Sequence, residues 1–195
     1  MKRYSVDIPD GALLLCQGGK PAYQRALSKR LKGWSPDAFG TLVFVTNESK
    51  VLLINKKTGH GAGKINVPGG KVELGESPVN CATREVREEV GLAVDDLVLK
   101  GEMKFVGRLS ANWQGYVYTT ERFCGDMRVT EEAEPFWCSI DEVPFASMWR
   151  HDSLWWPYIL FAEKKREIGD SRLYGEFLLE EDKIYSYRCY ADTLR

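Results

Sequence analysis

A chain of 195 residues with 27 basic and 28 acidic side chains suits one domain, or one with an appendage, and its net charge of −1 with interspersed signs gives no global field for holding DNA, RNA or an anionic membrane. There is no apolar run of about 18 residues and no cleavage-type leader, so the expectation is a soluble, cytoplasmic protein that neither enters a membrane nor forms a stable nucleic-acid complex. The five cysteines, at 16, 81, 124, 138 and 189, are odd in number and form no C-x-x-C pair, which argues against a disulfide framework or a zinc site and for reduced thiols.

Residues 1–38 read as an N-terminal extension. After a short strand at 12–16, Pro21 opens a helix that Gly33 closes, with Tyr23, Leu27 and Leu31 on one side and Arg25, Lys29, Arg30 and Lys32 largely on another. Such a helix packs against the domain, or serves as a partner helix or dimer arm, so monomer and homodimer both stay open. From Thr41 the pattern turns to strands. Residues 41–46 and 50–55 flank Asn47, Glu48 and Ser49 as a hairpin. Residues 56–64, KKTGHGAGK, match neither G-x-x-x-x-G-K-[ST] nor G-x-G-x-x-G and read as a mobile rim loop. A short strand at 65–67 then leads through Pro68, Gly69 and Gly70 into the most informative stretch of the chain.

That stretch is GKVELGESPVNCATREVREEVGL, from Gly70 to Leu92. Ser77 and Pro78 form an N-cap and first helical residue and Gly91 a left-handed stop, which predicts a helix over 78–90. At about 100° per residue, Glu85 and Glu89 share a face with Glu88 beside them, while Val79, Ala82, Val86 and Val90 form an apolar stripe. Adjacent like charges destabilise an isolated helix. Either the face is simply solvated, or a cation neutralises it, and carboxylate oxygens suit a hard ion, Mg²⁺ or Mn²⁺. Beyond the helix, residues 97–109, 113–123 and 135–139 read as strands, a helix follows from 152 or 153 to 166, and residues 173–179 and 184–190 form a terminal hairpin. The sum is an α/β chain with a mixed sheet flanked by helices.

The stretch closely resembles the signature of the Nudix hydrolases, G-x5-E-x7-R-E-U-x-E-E-x-G-U with U aliphatic, because Gly70, Glu76, Arg84, Glu85, Val86, Glu88, Glu89, Gly91 and Leu92 fill every fixed position. The resemblance implies a Nudix-type α/β/α sandwich over residues 39–195 and a metal-dependent hydrolase of a nucleoside diphosphate linked to another moiety. The implied metal ligands are Glu85, Glu88 and Glu89, with Gly70 at the head of the motif. Arg84 is implied to orient the carboxylates, Glu76 to brace the loop, and Glu88, Glu89 or Glu132 to serve as general base. The run EVPFASMWRHDSLWWP, together with KKTGHGAGKINVPGGKV, looks like the 8-oxo-dGTP diphosphatase branch of the family, which hydrolyses oxidised purine nucleoside triphosphates. On that resemblance Thr41, Lys56, Asn66, Trp149, His151 and Asp152 line the base pocket. The departures are His151, where the branch carries a first Asp, and His60, in place of an aromatic residue.

Chemically the set suits a purine. Asn66 can donate and accept at the base edge, Trp149 offers a stacking face worth about 1 to 3 kcal/mol per base, and Asp152 accepts when ionised and donates when protonated. His151 brings a donor and an acceptor of its own. Two other readings stand beside hydrolysis of purine triphosphates: a Nudix hydrolase of a nucleotide sugar, dinucleotide or RNA 5′ end, and a non-catalytic nucleotide sensor.

Overall fold

The computed structural model describes residues 9, 12–161 and 171–192. In chain order the elements are β1 (Leu13–Gly19), α1 (Pro21–Leu31), β2 (Ala38–Asn47), β3 (Lys50–Lys56), β4 (Ile65–Asn66), α2 (Pro78–Val90), β5 (Ala93–Val94), β6 (Val98–Gly107), β7 (Trp113–Thr120), β8 (Phe123–Cys124), β9 (Ala133–Ser139), α3 (Asp152–Leu160), β10 (Leu173–Glu180) and β11 (Lys183–Ala191). The expected helices and hairpins are present, with α1 ending at Leu31 and β1 reaching Gly19 rather than Cys16. The expected run of the last helix towards Arg166 lies outside the described residues.

The β2–β3 hairpin decides the architecture. Glu48 takes a left-handed φ of 53° in the turn, and the two strands pair only at Thr46 with Val51 and Asn47 with Lys50 before they separate. β2 then runs parallel to β7, whereas β3 takes β9 as an antiparallel neighbour along its whole length and β4 on its other side. The edge of β2 that β3 abandons needs partners, since a buried unpaired backbone group costs about 1–3 kcal/mol. The 68–72 loop supplies them. Val43 N donates to Pro68 O at 2.8 Å, Thr41 N to Gly70 O at 2.9 Å and Val72 N to Phe39 O at 2.9 Å. The loop ahead of the acid helix is therefore bound to the central strand.

The large sheet runs β1-β11-β10-β6-β7-β2 and continues through β3 to β4, with β2–β7 and β6–β10 parallel and the other pairs antiparallel. Alternate residues face opposite sides. On one face Phe44, Met103, Val117 and Phe177 receive α3, whose Trp155 and Trp156 are fully buried; the Trp156 ring stands edge-on to Phe44 at 4.6 Å. On the other, Val43, Val45 and Tyr118 receive Ala82, Val86 and Val90 of α2, and farther along Val106 and Leu178 receive Leu27 of α1. Helices on both faces make the α/β/α sandwich. Leu27 is 2% exposed and Tyr23 meets Tyr185 at 5.0 Å, so the apolar side of α1 lies on the sheet, and β1 extends that sheet by pairing with β11.

The apolar stripe of α2 differs from expectation at its first turn. Val79 is 41% exposed and Cys81 is buried instead, because it is Cys81 that faces β2, with its thiol 3.4 Å from Thr41 Oγ1. Both ends of the helix are as read. Ser77 Oγ accepts from Asn80 N at 3.3 Å, and Gly91, at φ 81°, donates its N–H to Arg87 O.

Candidate active site

The acid face of α2 is not a solvated stripe. Glu89 is completely buried and Glu85 nearly so, because the 68–72 loop folds back over them. Gly69 N donates to Glu89 Oε2 at 2.9 Å, and Lys56 Nζ donates to Glu89 Oε1 at 2.5 Å. Gly70 lies directly against Glu85: a Cβ there would sit 2.2 Å from Glu85 Oε1. Arg84 gathers the rest. Its Nε and one terminal nitrogen hold Glu76 in a two-point pair at 2.9 and 3.0 Å, and its other terminal nitrogen reaches Glu85 at 2.8 Å and Glu88 at 2.9 Å. One guanidinium thus holds three carboxylates, the geometry for which its planar fork is suited. Glu88 remains the most open of them, with 57% of its side chain exposed.

These environments push the carboxyls in opposite directions. Hydrogen bonds from Arg84 hold Glu76 down to about 2. Burial pushes Glu85 and Glu89 up, opposed by Arg84 for the first and by Lys56 for the second. A carboxyl depressed in the folded state stabilises it fully above its unfolded value near 4.5, and that contribution fades as pH falls towards 2. The raised pair works the other way, its ionisation costing stability as pH rises. Glu76→Gln is therefore expected to flatten the acid side of the thermal-stability profile between about pH 4.5 and 2, with the raised pair cancelling in the comparison. Melting curves of both proteins across that range check it. Parallel acid slopes would remove Glu76 from this role.

The other cluster is a row of rings. His60, in the β3–β4 loop, lies nearly parallel to Trp113 of β7 at 5.9 Å and to Trp149, ahead of α3, at 5.2 Å. Trp149 is in turn parallel to His151 at 6.3 Å, and His151 rests on Phe105 and Phe177 from the sheet, at 4.8 and 5.6 Å. Burial, followed by the charges of His151 and Lys56, lowers the pKa of His60 and favours its neutral ring. The loop that presents it is closed by its own backbone: Lys56 N donates to Lys64 O, Gly63 N to Lys56 O and Lys64 N to Gly61 O, between 2.8 and 3.0 Å. Gly59, Gly61 and Gly63 all take left-handed φ values, which glycine adopts without the Cβ penalty, so the stretch expected as a mobile rim is a built turn.

The remaining candidates fall around these two clusters. Asp152 is buried, and its Oδ2 accepts from Trp149 N at 3.2 Å, which fixes the chain just ahead of α3. His151 is buried too; its Nδ1 lies 3.1 Å from Asp152 Oδ1 but without hydrogen-bond geometry. Asn66 Oδ1 accepts from Val67 N at 2.9 Å, leaving its amide NH₂ as the group turned to other partners. Thr41 lies buried beneath the 68–72 loop. Glu132 is exposed on the turn before β9; that turn touches α2 through Thr130 Oγ1, which donates to Glu89 O at 3.0 Å. Trp113, Phe105, Phe177 and Lys64 were not singled out from the sequence. Lys64, just after the glycine-rich turn, meets Trp149 itself, whereas Trp113 meets His60, and Phe105 and Phe177 meet His151.

The NUDIX domain matches residues 36–157. The chain belongs to the Nudix family. It is 39% identical over 146 residues to the oxidized purine nucleoside triphosphate hydrolase of Danio rerio, covering 74% of this chain and 92% of that protein. The protein of the same name from Mus musculus is 38% identical over 149 residues, covering 75% and 90%. Among solved structures, the crystal structure of a MutT protein from Bacillus halodurans superposes with a TM-score of 0.67 at 28% identity, over 78% of this chain and 97% of that one. This Nudix chain is a hydrolase of that family, with the mixed sheet and sandwiching helices of its structural neighbours. None of its described helices is long and apolar enough to cross a membrane.

Proposed function

We propose that this Nudix enzyme is a cytoplasmic, Mg²⁺- or Mn²⁺-dependent pyrophosphohydrolase that cleaves purine nucleoside triphosphates, oxidised ones included, to the monophosphate and pyrophosphate, and so sanitises the nucleotide pool. The observation that carries it is the β3–β4 loop, which joins the two clusters: Lys56 at its start holds Glu89, and His60 and Lys64 at its middle and end hold Trp149. A base against Trp149 would leave its phosphates directed towards the acid helix. The names of the relatives from Danio rerio and Mus musculus support the substrate class.

The donor set fits a divalent cation. Its atoms are hard carboxylate oxygens, and the space a Cβ would fill at Gly70 keeps the Glu85 carboxylate against the loop. Among the described residues no three carboxylates converge as a finished cage, since Arg84 and Lys56 draw them to themselves. Glu85, Glu88, Glu89 and the Gly70 carbonyl would hold the ion, which when bound neutralises phosphate charge and makes water more acidic. The chain's own residues do the rest. Arg84 keeps Glu76, Glu85 and Glu88 aligned, Lys56 offsets the burial of Glu89, and a carboxylate among Glu88, Glu89 and Glu132 takes the proton from the attacking water. Thr41, Asn66, His151 and Asp152 frame the base beside Trp149.

A panel of nucleoside triphosphates with product analysis tests the reading. Purine triphosphates are expected to win and to release pyrophosphate, and Trp149→Ala to raise their KM about 5- to 100-fold, the loss of one stacked base. Clear preference for pyrimidine or sugar nucleotides, or release of sugar phosphate, would overturn it.

A further inference from the structure

Lys64 and Asp182 belong to neither cluster, yet they close around Trp149 from two distant parts of the chain. The Lys64 ammonium sits 4.6 Å above the centre of the Trp149 ring. It also reaches Met148 O at 3.4 Å and Asp182 Oδ2 at 3.3 Å. Asp182, in the turn between β10 and β11, uses its other oxygen to accept from Arg150 N at 2.8 Å, and the Arg150 side chain approaches the same carboxylate at 3.8 Å. The residues before and after Trp149 are thus tied to the two members of one ion pair. Three segments meet at this indole: the β3–β4 loop, which also lays His60 on it, the approach to α3 and the terminal hairpin.

From this geometry we propose that Lys64 and Asp182 form a clasp that positions Trp149, so that a purine finds its stacking surface already oriented; the catalytic consequence rests on the base-pocket reading above. Both side chains are about one-third exposed or less, at 27% and 33%. A pair that open contributes little to global stability. Its effect is on where a ring sits. The ammonium holds one ring face by attraction to the π system, and Asp182 holds the ammonium. A second role for Lys64, direct contact with phosphate, makes a different prediction: Asp182 would then restrain it, and removing Asp182 would leave binding unharmed or improved.

The test uses the full chain with Lys64→Met, Asp182→Asn, both together, and Lys64→Arg, with a purine nucleoside triphosphate as probe. Each single variant is expected to raise KM about 3- to 10-fold with kcat changed less than about twofold, the scale of one partly exposed cation–π contact and its hydrogen bond. The double variant is expected to match the singles, because the two act through one another, and Lys64→Arg to recover most of the loss. Independently of substrate, the emission of Trp149, isolated by subtracting Trp149→Phe in each background, is expected to shift in both single variants. That readout separates the clasp from the base pocket. A shift in emission with KM unaltered, together with a wild-type KM in Trp149→Ala, retains the clasp and sinks the pocket. Unshifted emission, or a KM defect in Lys64→Met that Asp182→Asn does not reproduce, overturns the clasp.

Discussion

Glu89→Gln lowers turnover of a purine nucleoside triphosphate by about 1,000-fold or more while the protein still folds; this is the largest effect expected of any single substitution here. Glu89 is the one member of the acid set that is wholly buried, and its two oxygens are already committed to Lys56 and Gly69. A glutamine keeps the shape and still offers an acceptor to Gly69 N, but it removes the charge that a cation requires and leaves Lys56 without its ion-pair partner. The folding penalty is that of one polar group losing its partner, about 1–3 kcal/mol, set against a usual total of about 5–15 kcal/mol. Circular dichroism and a melting curve establish the fold, and a pyrophosphate-release assay at saturating Mg²⁺ reads the loss. The same assay on Glu88→Gln and Glu132→Gln locates the proton acceptor, whose variant loses kcat while retaining affinity for the ion. Turnover within tenfold of wild type in Glu89→Gln would withdraw Glu89 from the metal site.

How much of this could be read from the chain depends on how local each signal is. Both ends of α2 were legible because Ser77, Pro78 and Gly91 act within one turn of themselves, and the cap and the left-handed stop fall at those residues. The burial of Glu89 was not. Helical periodicity assigns it to a face away from the apolar stripe, which for an isolated helix means water. What buries it is the 68–72 loop, and that loop lies there only because β2 and β3 part after two residue pairs and leave an edge of β2 to be satisfied. No window along the sequence contains all three partners. The ring row has the same character. Trp113 reads as the first residue of a strand, and only the parallel pairing of β7 with β2 and the turn at Gly59, Gly61 and Gly63 bring it to His60. Residue types along the chain were sufficient for the family and the chemistry of the acid helix; the register of the sheet was needed for which face each carboxylate meets.

Gly70→Ala is expected to cut kcat/KM by about 100-fold, an effect of displacement rather than of lost chemistry. The added methyl would lie 2.2 Å from Glu85 Oε1 and 2.3 Å from its carboxyl carbon, so one of the two must move. The loop is poorly able to retreat. The Gly70 carbonyl accepts from Thr41 N and the Gly69 amide donates to Glu89, so withdrawal breaks the bonds that seat the loop on β2 and α2. Glu85 moves instead, and it does not move alone, because the Arg84 nitrogen that holds it also holds Glu88. Overpacking of this kind costs about 1–3 kcal/mol of stability. A second substitution separates the two effects. Gly75 has a left-handed φ of 82° and nothing within 4 Å of the Cβ position, so Gly75→Ala strains the backbone without touching a carboxylate. It is expected to cost about 1 kcal/mol and leave kcat/KM within about threefold of wild type. If Gly70→Ala keeps wild-type kcat/KM, or loses no more of it than Gly75→Ala does, close contact between this glycine and Glu85 has no part in aligning the acid set. If the activity falls while the melting temperature drops by only a few degrees, alignment of Glu85 with Glu88 through Arg84 is the property that Gly70 protects.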